Sequence, residues 1–527
     1  MTRRLIALLA ALCFLLFLTA AADVQPKGVF PVVDEPTTLR VAVVVSPKVE
    51  DIHTNDFTLW LQEQTGITLD ILELSASDTA AQINTIMLSD DLPDAFIGYT
   101  FSYDELATYA AAGKLLALND YIEQYGDEYF RFLEQLSANV NNPAAYVTVD
   151  GEIFAVPSAS VMVTDTYASY RIRIPELFLN ALDMEMPTTL DEFYDYLVAV
   201  RDNDANGNGD PNDEIPMSGH ENRNWALSNI GCCFQYTDTY SYLKLNGDSV
   251  EFIAANDNFK KTVEYMKMLV DEGLLDPAIF TQNQAMELTL NTQEYPIIGA
   301  DASYTSATYN ATSELFNSLR IIPNLIGPDG YSAPRVQVPN VTASMVITTA
   351  CRNPEAAFRM MDFLLNEETS TVARLGMKGV HWKEADEGMI GRNGEPARYQ
   401  LIGTQVWTLP TNNSIWRLNN FIDGSIMNYL ADDPNSSTGK LAADIRKYNL
   451  ADSRTGEQIP KLLMDVETSA KYRELASLIV SYVDESCAKF ILGDRSLDEW
   501  DAYVNELENM GVERYVEMAQ AAYDAMN

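Results

Sequence analysis

The segment running from Asp202 through Asn203, Asp204, Asn206, Gly207, Asn208, Gly209, Asp210, Asp213 and Glu214 to Pro216 holds the most specific chemical pattern in the chain. Short Asp and Asn side chains at alternate positions curl a loop until their oxygens converge on one point. Calcium, a hard cation, takes six to eight such oxygens at about 2.3–2.6 Å, and a glycine in the sixth place permits the tight turn. Two registers satisfy this. One starts at Asp202, with Gly207 sixth, Asp210 ninth and Asp213 twelfth. The other starts at Asp204, with Gly209 sixth, and uses Asp204, Asn206, Asn208, the Asp210 backbone carbonyl, Asp213 and Glu214. A merely polar surface loop would leave five carboxylates repelling one another. Magnesium fits less well, because it takes few carboxylates and keeps several waters. One ion beside a capped helix reads as a structural pin, and the pattern is silent on catalysis.

Nothing else in the chain points to bond-breaking chemistry. The three histidines, His53, His220 and His381, include no two at ligand spacing, which argues against zinc or a His-rich iron site. There is no Gly-x-Ser-x-Gly elbow, phosphate-cradling Gly-Lys-Ser/Thr loop or dinucleotide fingerprint. The 76 acidic residues make too many carboxylate pairs for any one to stand out as a glycosidase dyad.

Aromatic rings are the remaining resource, with 6 Trp and 27 Tyr. Sugars stack their C–H faces on such rings while their hydroxyls bond to nearby polar groups. Candidates sit in loops that follow expected strands, where crevices form in open sheets. Tyr99 follows an expected strand over 95–98, and Tyr304 follows one over 295–300. Trp225 is flanked by Asn222, Arg223 and Asn224, Trp416 by Asn412, Asn413 and Arg417, and Trp382 follows His381. These five are the expected ligand-binding residues. Trp60 lies on the apolar face of a helix and reads as core.

The elements that must position these groups are legible along the first part of the chain. Residues 39–45 and 69–74 read as strands. Between them an Asn55-Asp56 start, Phe57, Trp60 and Leu61 on one face, and a Gly66 stop mark a helix. A second helix carries Ile83, Ile86 and Met87 inward before the strand over 95–98. Strand, helix, strand, helix, strand at this spacing predicts a parallel sheet wrapped by helices. Helices follow at 104–112 and 119–125, and Asp150-Gly151 turns into a short strand. Thr189 and Glu192 form a capping box that opens a helix with Phe193, Tyr196, Leu197 and Val200 inward. Helices are also expected at 259–272, from Pro354, and through the last 45 or so residues.

Composition bounds the class. With 35 basic residues against the 76 acidic, the formal charge is −41, which argues against a nucleic-acid interface and against docking on anionic lipid. A length of 527 residues fits roughly two to four domains. Arg3 and Arg4, the apolar run 5–22 and the small residues Ala20 to Ala22 read as an export signal over 1–22, with an uncleaved anchor as the alternative. Cys13 sits mid-run, so lipid attachment is not indicated. Cys232, Cys233, Cys351 and Cys487 would remain, as free thiols or with one disulfide.

The ordered phrases of the chain resemble the family 1 extracellular solute-binding proteins of ABC importers, specifically the long calcium-containing sugar binders that include alginate-binding proteins. The phrases are Thr65-Gly66-Ile67, Leu92-Pro93-Asp94, Gly113 to Asp120, Asp150 to Pro157, the 204–216 loop, Gly327 to Gly330, Asn353-Pro354-Glu355 and the terminal Gln520 with Tyr523-Asp524. The resemblance selects the loop register that starts at Asp204. It implies an α/β, two-lobed, type II periplasmic-binding-protein fold whose hinge-joined lobes hold a saccharide in a central cleft. By that analogy 37–160 and 294–345 form the N-terminal lobe. Residues 161–293 and 346–527 form the C-terminal lobe, which carries the 204–216 loop.

The expected function is therefore a non-enzymatic, extracytoplasmic receptor that captures a carbohydrate, holds structural Ca2+ and serves as a monomer for the transmembrane subunits of an ABC permease. The acidic balance favours neutral sugars over polyuronates. Two alternatives stay open from the residues alone: an exported hydrolase using an Asp/Glu pair, and the same fold binding a peptide or other small solute.

Overall fold

The computed structural model describes residues 24–45, 49–137, 142–159, 171–220, 225–302, 317–333, 341–403, 416, 423–448 and 455–526. The expected export segment lies outside them. No helix among the described residues is long and apolar enough to cross a membrane. Contacts divide the chain into two compact units. The first comprises Met1–Ser160, Pro339–Glu384 and Leu401–Ile426; the second comprises Val161–Val338, Ala385–Gln400 and Met427–Asn527.

In the first unit the expected alternation forms. Strand β1 (Thr37–Val45), helix α1 (Asp56–Thr65), strand β2 (Ile67–Ser75), helix α2 (Thr79–Leu88), strand β3 (Ala95–Phe101) and helix α3 (Tyr103–Ala111) follow in order. β1 pairs in parallel with β2 from Thr37↔Ile67 to Val45↔Ser75, and in parallel with β3 at Val41↔Ala95. Consecutive residues Val41, Ala42 and Val43 are all fully buried, as a central parallel strand covered on both faces requires. At the edge, β2 alternates buried Ile67, Leu69 and Ile71 with exposed Thr68 and Asp70. The α1 signals hold. The Asn55 side chain accepts from the Phe57 N–H, and Gly66 ends the helix in the left-handed region. A Cβ at Gly66 would lie 2.7 Å from the Val33 carbonyl oxygen, so a larger residue has no room there.

The five-stranded sheet is completed by β4 (Val156–Ser158) and by a returning strand, Thr342–Ile347, inserted antiparallel between β3 and β4. The helix Pro354–Leu364 follows it and is buried on every side from Ala356 to Leu364, including Arg359 and Asp362. Its buried acid is satisfied: the Asp362 carboxylate accepts from the Tyr129 N–H at 2.8 Å and, at 3.3 Å, from those of Asp127 and Glu128, so it caps the helix Glu128–Ser137.

The second unit has a four-stranded sheet in the order Leu319–Ile321, Arg173–Pro175, Ile298–Asp301, Ile215–Ser218. Numbered along the chain these are β5 (Arg173–Pro175), β6 (Ile215–Ser218), β7 (Ile298–Asp301) and β8 (Leu319–Ile321). Helix α4 (Leu190–Asp202) runs into β6, and its capping box is made: the Thr189 hydroxyl accepts from the Glu192 N–H, and the Glu192 carboxylate from the Thr189 N–H, both at 3.1 Å. Phe193, Tyr196, Leu197 and Val200 face one core with Phe259, Val263 and Met266, and with Ile479, Val483 and Phe490 of the 27-residue helix Val466–Leu492.

The division of the chain differs from the expected 294–345 and 346–527. Residues 298–301 and 319–321 belong to the second unit because β7 pairs with β6 and β5, and β8 pairs with β5. Residues 346–384 belong to the first, since the returning strand and the buried helix Pro354–Leu364 pack there.

One polar cluster ties the second unit's edge strand to a late helix. Arg320 of β8 donates from Nε to the Asp444 carboxylate at 2.8 Å and from Nη2 to its other oxygen, while Nη1 reaches Glu176 at 2.6 Å. The Ile321 N–H donates to the same Asp444 carboxylate at 3.2 Å. Asp444, on the helix Ser437–Lys447, is fully buried.

Candidate functional site

In the first unit, β1 leads through α1 to β2 on one side, and α2 then carries the chain across to β3 on the other. The connections diverge at the carboxyl ends of β1 and β3, which is where ligand crevices form in open α/β sheets. A depression of about 420 Å³ lies there, lined by Val44 at the end of β1, Ala76, Ser77, Asp78, Thr79 and Ala80 between β2 and α2, and Gly98 and Tyr99 of β3.

The sheet itself presents Tyr99. Pairing between β3 and the returning strand jumps from Ile97↔Met345 to Phe101↔Ala343, so residues 98–100 bulge out of the ladder. Gly98 adopts φ 89°, which only glycine takes without strain. Bulges of this kind re-aim side chains beside functional sites. Tyr99 therefore lies within the strand and not after it, as sequence reasoning had it. Its hydroxyl donates to Glu105 at 2.7 Å, and the other Glu105 oxygen accepts from the Ser102 N–H at 2.8 Å, closing the capping box that starts α3. Burial and the Glu105 carboxylate raise the phenol above its usual range, so it stays protonated as the donor. With its hydroxyl committed, Tyr99 presents ring surface, packed edge-on against Phe101 at 4.9 Å.

The opposing wall is polar. The Thr79 hydroxyl donates to the Ser75 carbonyl at 2.7 Å, and the Ser75 and Ser77 hydroxyls share a 2.9 Å hydrogen bond. Asp78 occupies the cap position of α2 without making a side-chain cap bond, and it is exposed. It is the sole carboxylate among the described residues lining the depression. Ring, hydroxyls and one carboxylate suit a polyhydroxylated solute. They do not form the pair of acids that glycoside hydrolysis needs. Gly98, Asp78 and Glu105 were missed from sequence: a bulge leaves no periodic signal, although Ser102 and Glu105 stand at capping-box spacing and could have been found.

The other ring candidates fall elsewhere. Trp416 is fully buried in the first unit, its Nε1 donating to the Thr58 hydroxyl at 3.0 Å and its ring 5.7 Å from Phe57. It is core, and the expectation that it meets ligand is corrected. Trp382 is also buried, with Nε1 donating to the Gly376 carbonyl at 2.9 Å. Trp225 opens the helix Trp225–Gly231 in the second unit, buried and edge-on to His220 at 5.4 Å. The Trp382 and Trp416 rings could be drawn inward because each buries its area and still satisfies its indole N–H. Tyr304, and the polar neighbours of Trp225 and Trp416, lie outside the described residues. Trp60, expected as core, is half-buried and stacks on Phe363 at 5.8 Å.

The oxygen-rich loop follows α4 in the second unit. Asp202 is exposed and engaged by Arg201, at 2.7 Å from Nε and 3.0 Å from Nη2, which turns it out of the loop. Asp204 instead accepts from the Gly209 N–H at 2.8 Å, the first residue bonding the sixth. Asn206 and Asn208 accept from the N–H two residues on, at 2.9 and 2.7 Å, and their amides donate to Asp213. Glu214 accepts from the Asn206 N–H at 3.1 Å. Gly207 and Gly209 take φ 74° and 92°. Asp204 Oδ1 and Glu214 Oε2 are buried with no hydrogen-bond partner. Burial also raises the Glu214 carboxyl above its usual range. Two orphaned carboxylate oxygens in an all-oxygen loop fit a hard cation. Among the described residues no three Asp, Glu, His or Cys side chains converge on one metal point, so amide and main-chain oxygens must complete any such shell.

Comparison with known proteins follows the same lines. A family model described as bacterial extracellular solute-binding protein matches residues 49–370. The chain is 24% identical over 519 residues, 96% of its length and 93% of the relative's, to the fructooligosaccharide ABC transporter substrate-binding protein FusA of Streptococcus pneumoniae serotype 4. It is 19% identical to the polygalacturonan/rhamnogalacturonan-binding protein YtcQ of Bacillus subtilis, covering 88% of this chain and 87% of that one. Among solved structures, an EF-hand mutant of FusA in complex with fructo-nystose aligns with TM-score 0.69 at 22% identity, covering 93% of this chain and 99% of that one. Alginate-binding protein AlgQ2 without calcium ion aligns with TM-score 0.62 at 20% identity, covering 94% and 100%. These likenesses show the two-lobed periplasmic-binding-protein fold.

Proposed function

The chain belongs to the bacterial extracellular solute-binding proteins, and from that premise we propose that it is the extracytoplasmic receptor of an ABC importer whose solute is an oligosaccharide. The observation that carries this reading is the depression at the carboxyl ends of β1 and β3, which Tyr99 lines together with Ser77, Asp78 and Thr79. A sugar ring stacks on Tyr99 through its C–H face, and its hydroxyls bond to Ser77, Asp78 and Thr79. That FusA and YtcQ, by their names, bind fructooligosaccharide and polygalacturonan supports the class of solute. Loading biases the protein toward one conformation through differential affinity, and the transmembrane subunits of the permease read that population. The receptor works as a monomer and returns its cargo unaltered.

Calcium belongs to the same reading, held by Asp204, Asn206, Asn208, the Asp210 carbonyl, Asp213 and Glu214. The ion neutralises the loop and fixes the passage from α4 into β6. The orphaned oxygens of Asp204 and Glu214 support this, as do the EF-hand and calcium named for the FusA and AlgQ2 structures.

A thermal-shift panel of neutral oligosaccharides, polyuronate fragments and short peptides tests the solute class: oligosaccharides raise the melting temperature and peptides leave it unchanged, whereas a shift by peptides alone would overturn the proposal. Tyr99→Ala lowers affinity for the best oligosaccharide roughly tenfold, about 1.4 kcal/mol, by removing the stacking face. Tyr99→Phe keeps the ring, loses the Glu105 tether and costs only about two- to fourfold by titration calorimetry.

A further inference from the structure

We infer that the receptor selects uncharged saccharides and turns away uronate-bearing ones, and that Asp78 is the specificity-determining residue. The inference rests on the oligosaccharide reading of the same depression. Its described lining residues are Val44, Gly98, Tyr99 and the 76–80 turn, which together bring one charge, the Asp78 carboxylate, and no cation. Asp78 stands at the cap position of α2, yet its side chain makes no cap bond. The carboxylate is thus exposed and available to accept from sugar hydroxyls.

A saccharide hydroxyl donates to a carboxylate in a charge-assisted hydrogen bond. A uronate places a second carboxylate in the same space, with like-charge repulsion and no Lys or Arg among the described lining residues to offset it. The net charge of −41 adds a long-range field of the same sign, which slows the approach of a polyanion. Site and surroundings act in the same direction.

Lys48 follows β1 and lies outside the described residues. A cation delivered from there would produce the opposite selectivity, so the experiment decides between them. Titration calorimetry at 0.15 M salt compares a neutral trisaccharide, kestose, with trigalacturonate on the full chain and on Asp78→Asn. The wild type binds kestose at least fiftyfold more tightly than trigalacturonate. In Asp78→Asn, where Asn serves equally as a helix cap, the kestose affinity falls several-fold and the trigalacturonate affinity rises about tenfold. Thermal melts of both proteins confirm an unchanged fold.

Equal or tighter binding of trigalacturonate by the wild type would overturn the inference and leave the oligosaccharide reading standing. An unchanged ratio in Asp78→Asn would remove Asp78 from the role. Failure of every oligosaccharide in the wider panel would overturn both.

Discussion

Chelating calcium lowers the melting temperature by roughly 5–10 °C, and the double variant Asp204→Asn, Glu214→Gln melts like the chelated wild type whether or not calcium is present. The size follows from linkage. A ligand at a hundred times its dissociation constant stabilises the folded state by about 2.7 kcal/mol, and each kcal/mol moves the midpoint of a large domain by roughly 2–4 °C. The direction follows from the loop. Asp204 and Glu214 each bury an oxygen with no partner, and a buried unpaired carboxylate oxygen is costly until a cation or donor meets it. In the variant two of the carboxylates that attract the ion are gone, while Asp210 and Asp213 still repel each other. Differential scanning calorimetry with calcium and with EGTA gives the answer. A wild-type melt unchanged by EGTA would remove the ion from the account. A response that Asp202→Asn abolished and Asp204→Asn did not would restore the other register.

Asp444→Ala costs about 3 kcal/mol of stability. Asp444 is fully buried and takes both the bidentate Arg320 guanidinium and the Ile321 N–H. Removing it strands a charge and a main-chain donor together, the situation in which breaking a buried pair costs about 3–5 kcal/mol. Glu176, which also binds Arg320, and the part-exposure of the guanidinium hold the loss at the lower end. The double variant Arg320→Met, Asp444→Leu replaces both charges with apolar groups and recovers most of the loss, since a matched apolar pair avoids the desolvation penalty. Denaturant unfolding of the two variants tests this. Equal losses in both would mean that packing and not the stranded charge sets the penalty.

Local signals carried the first part of the fold. The Asn55 cap, the Gly66 stop, the continuous apolar run of β1 and the alternating β2 are each encoded within about ten residues, and all formed. The exchange of segments between units depends on pairings such as Ile298↔Ile215 and Leu319↔Pro175, which join residues far apart in sequence and leave no periodic trace. The same holds for Arg320 and Asp444, 124 residues apart.

For the candidate site, the oxygen-rich loop was legible because its donors are contiguous. Spacing alone left its register open and the resemblance chose the one that starts at Asp204; in the structure Asp202 is engaged by Arg201. Tyr99 was legible as a ring near a strand end, but its aim comes from the Gly98 bulge, a property of cross-strand registry. Trp416 shows the opposite failure: polar neighbours in sequence suggested exposure, while its indole N–H found Thr58 and the ring went into the core.

The central claim is that this protein binds an oligosaccharide and leaves it whole. Titration calorimetry of neutral tri- and tetrasaccharides, with chromatography of the recovered sugar after prolonged incubation, tests it most directly. The account predicts saturable one-to-one binding and quantitative recovery of intact ligand. Cleavage products that accumulate with time, or the absence of binding by any saccharide, would contradict it.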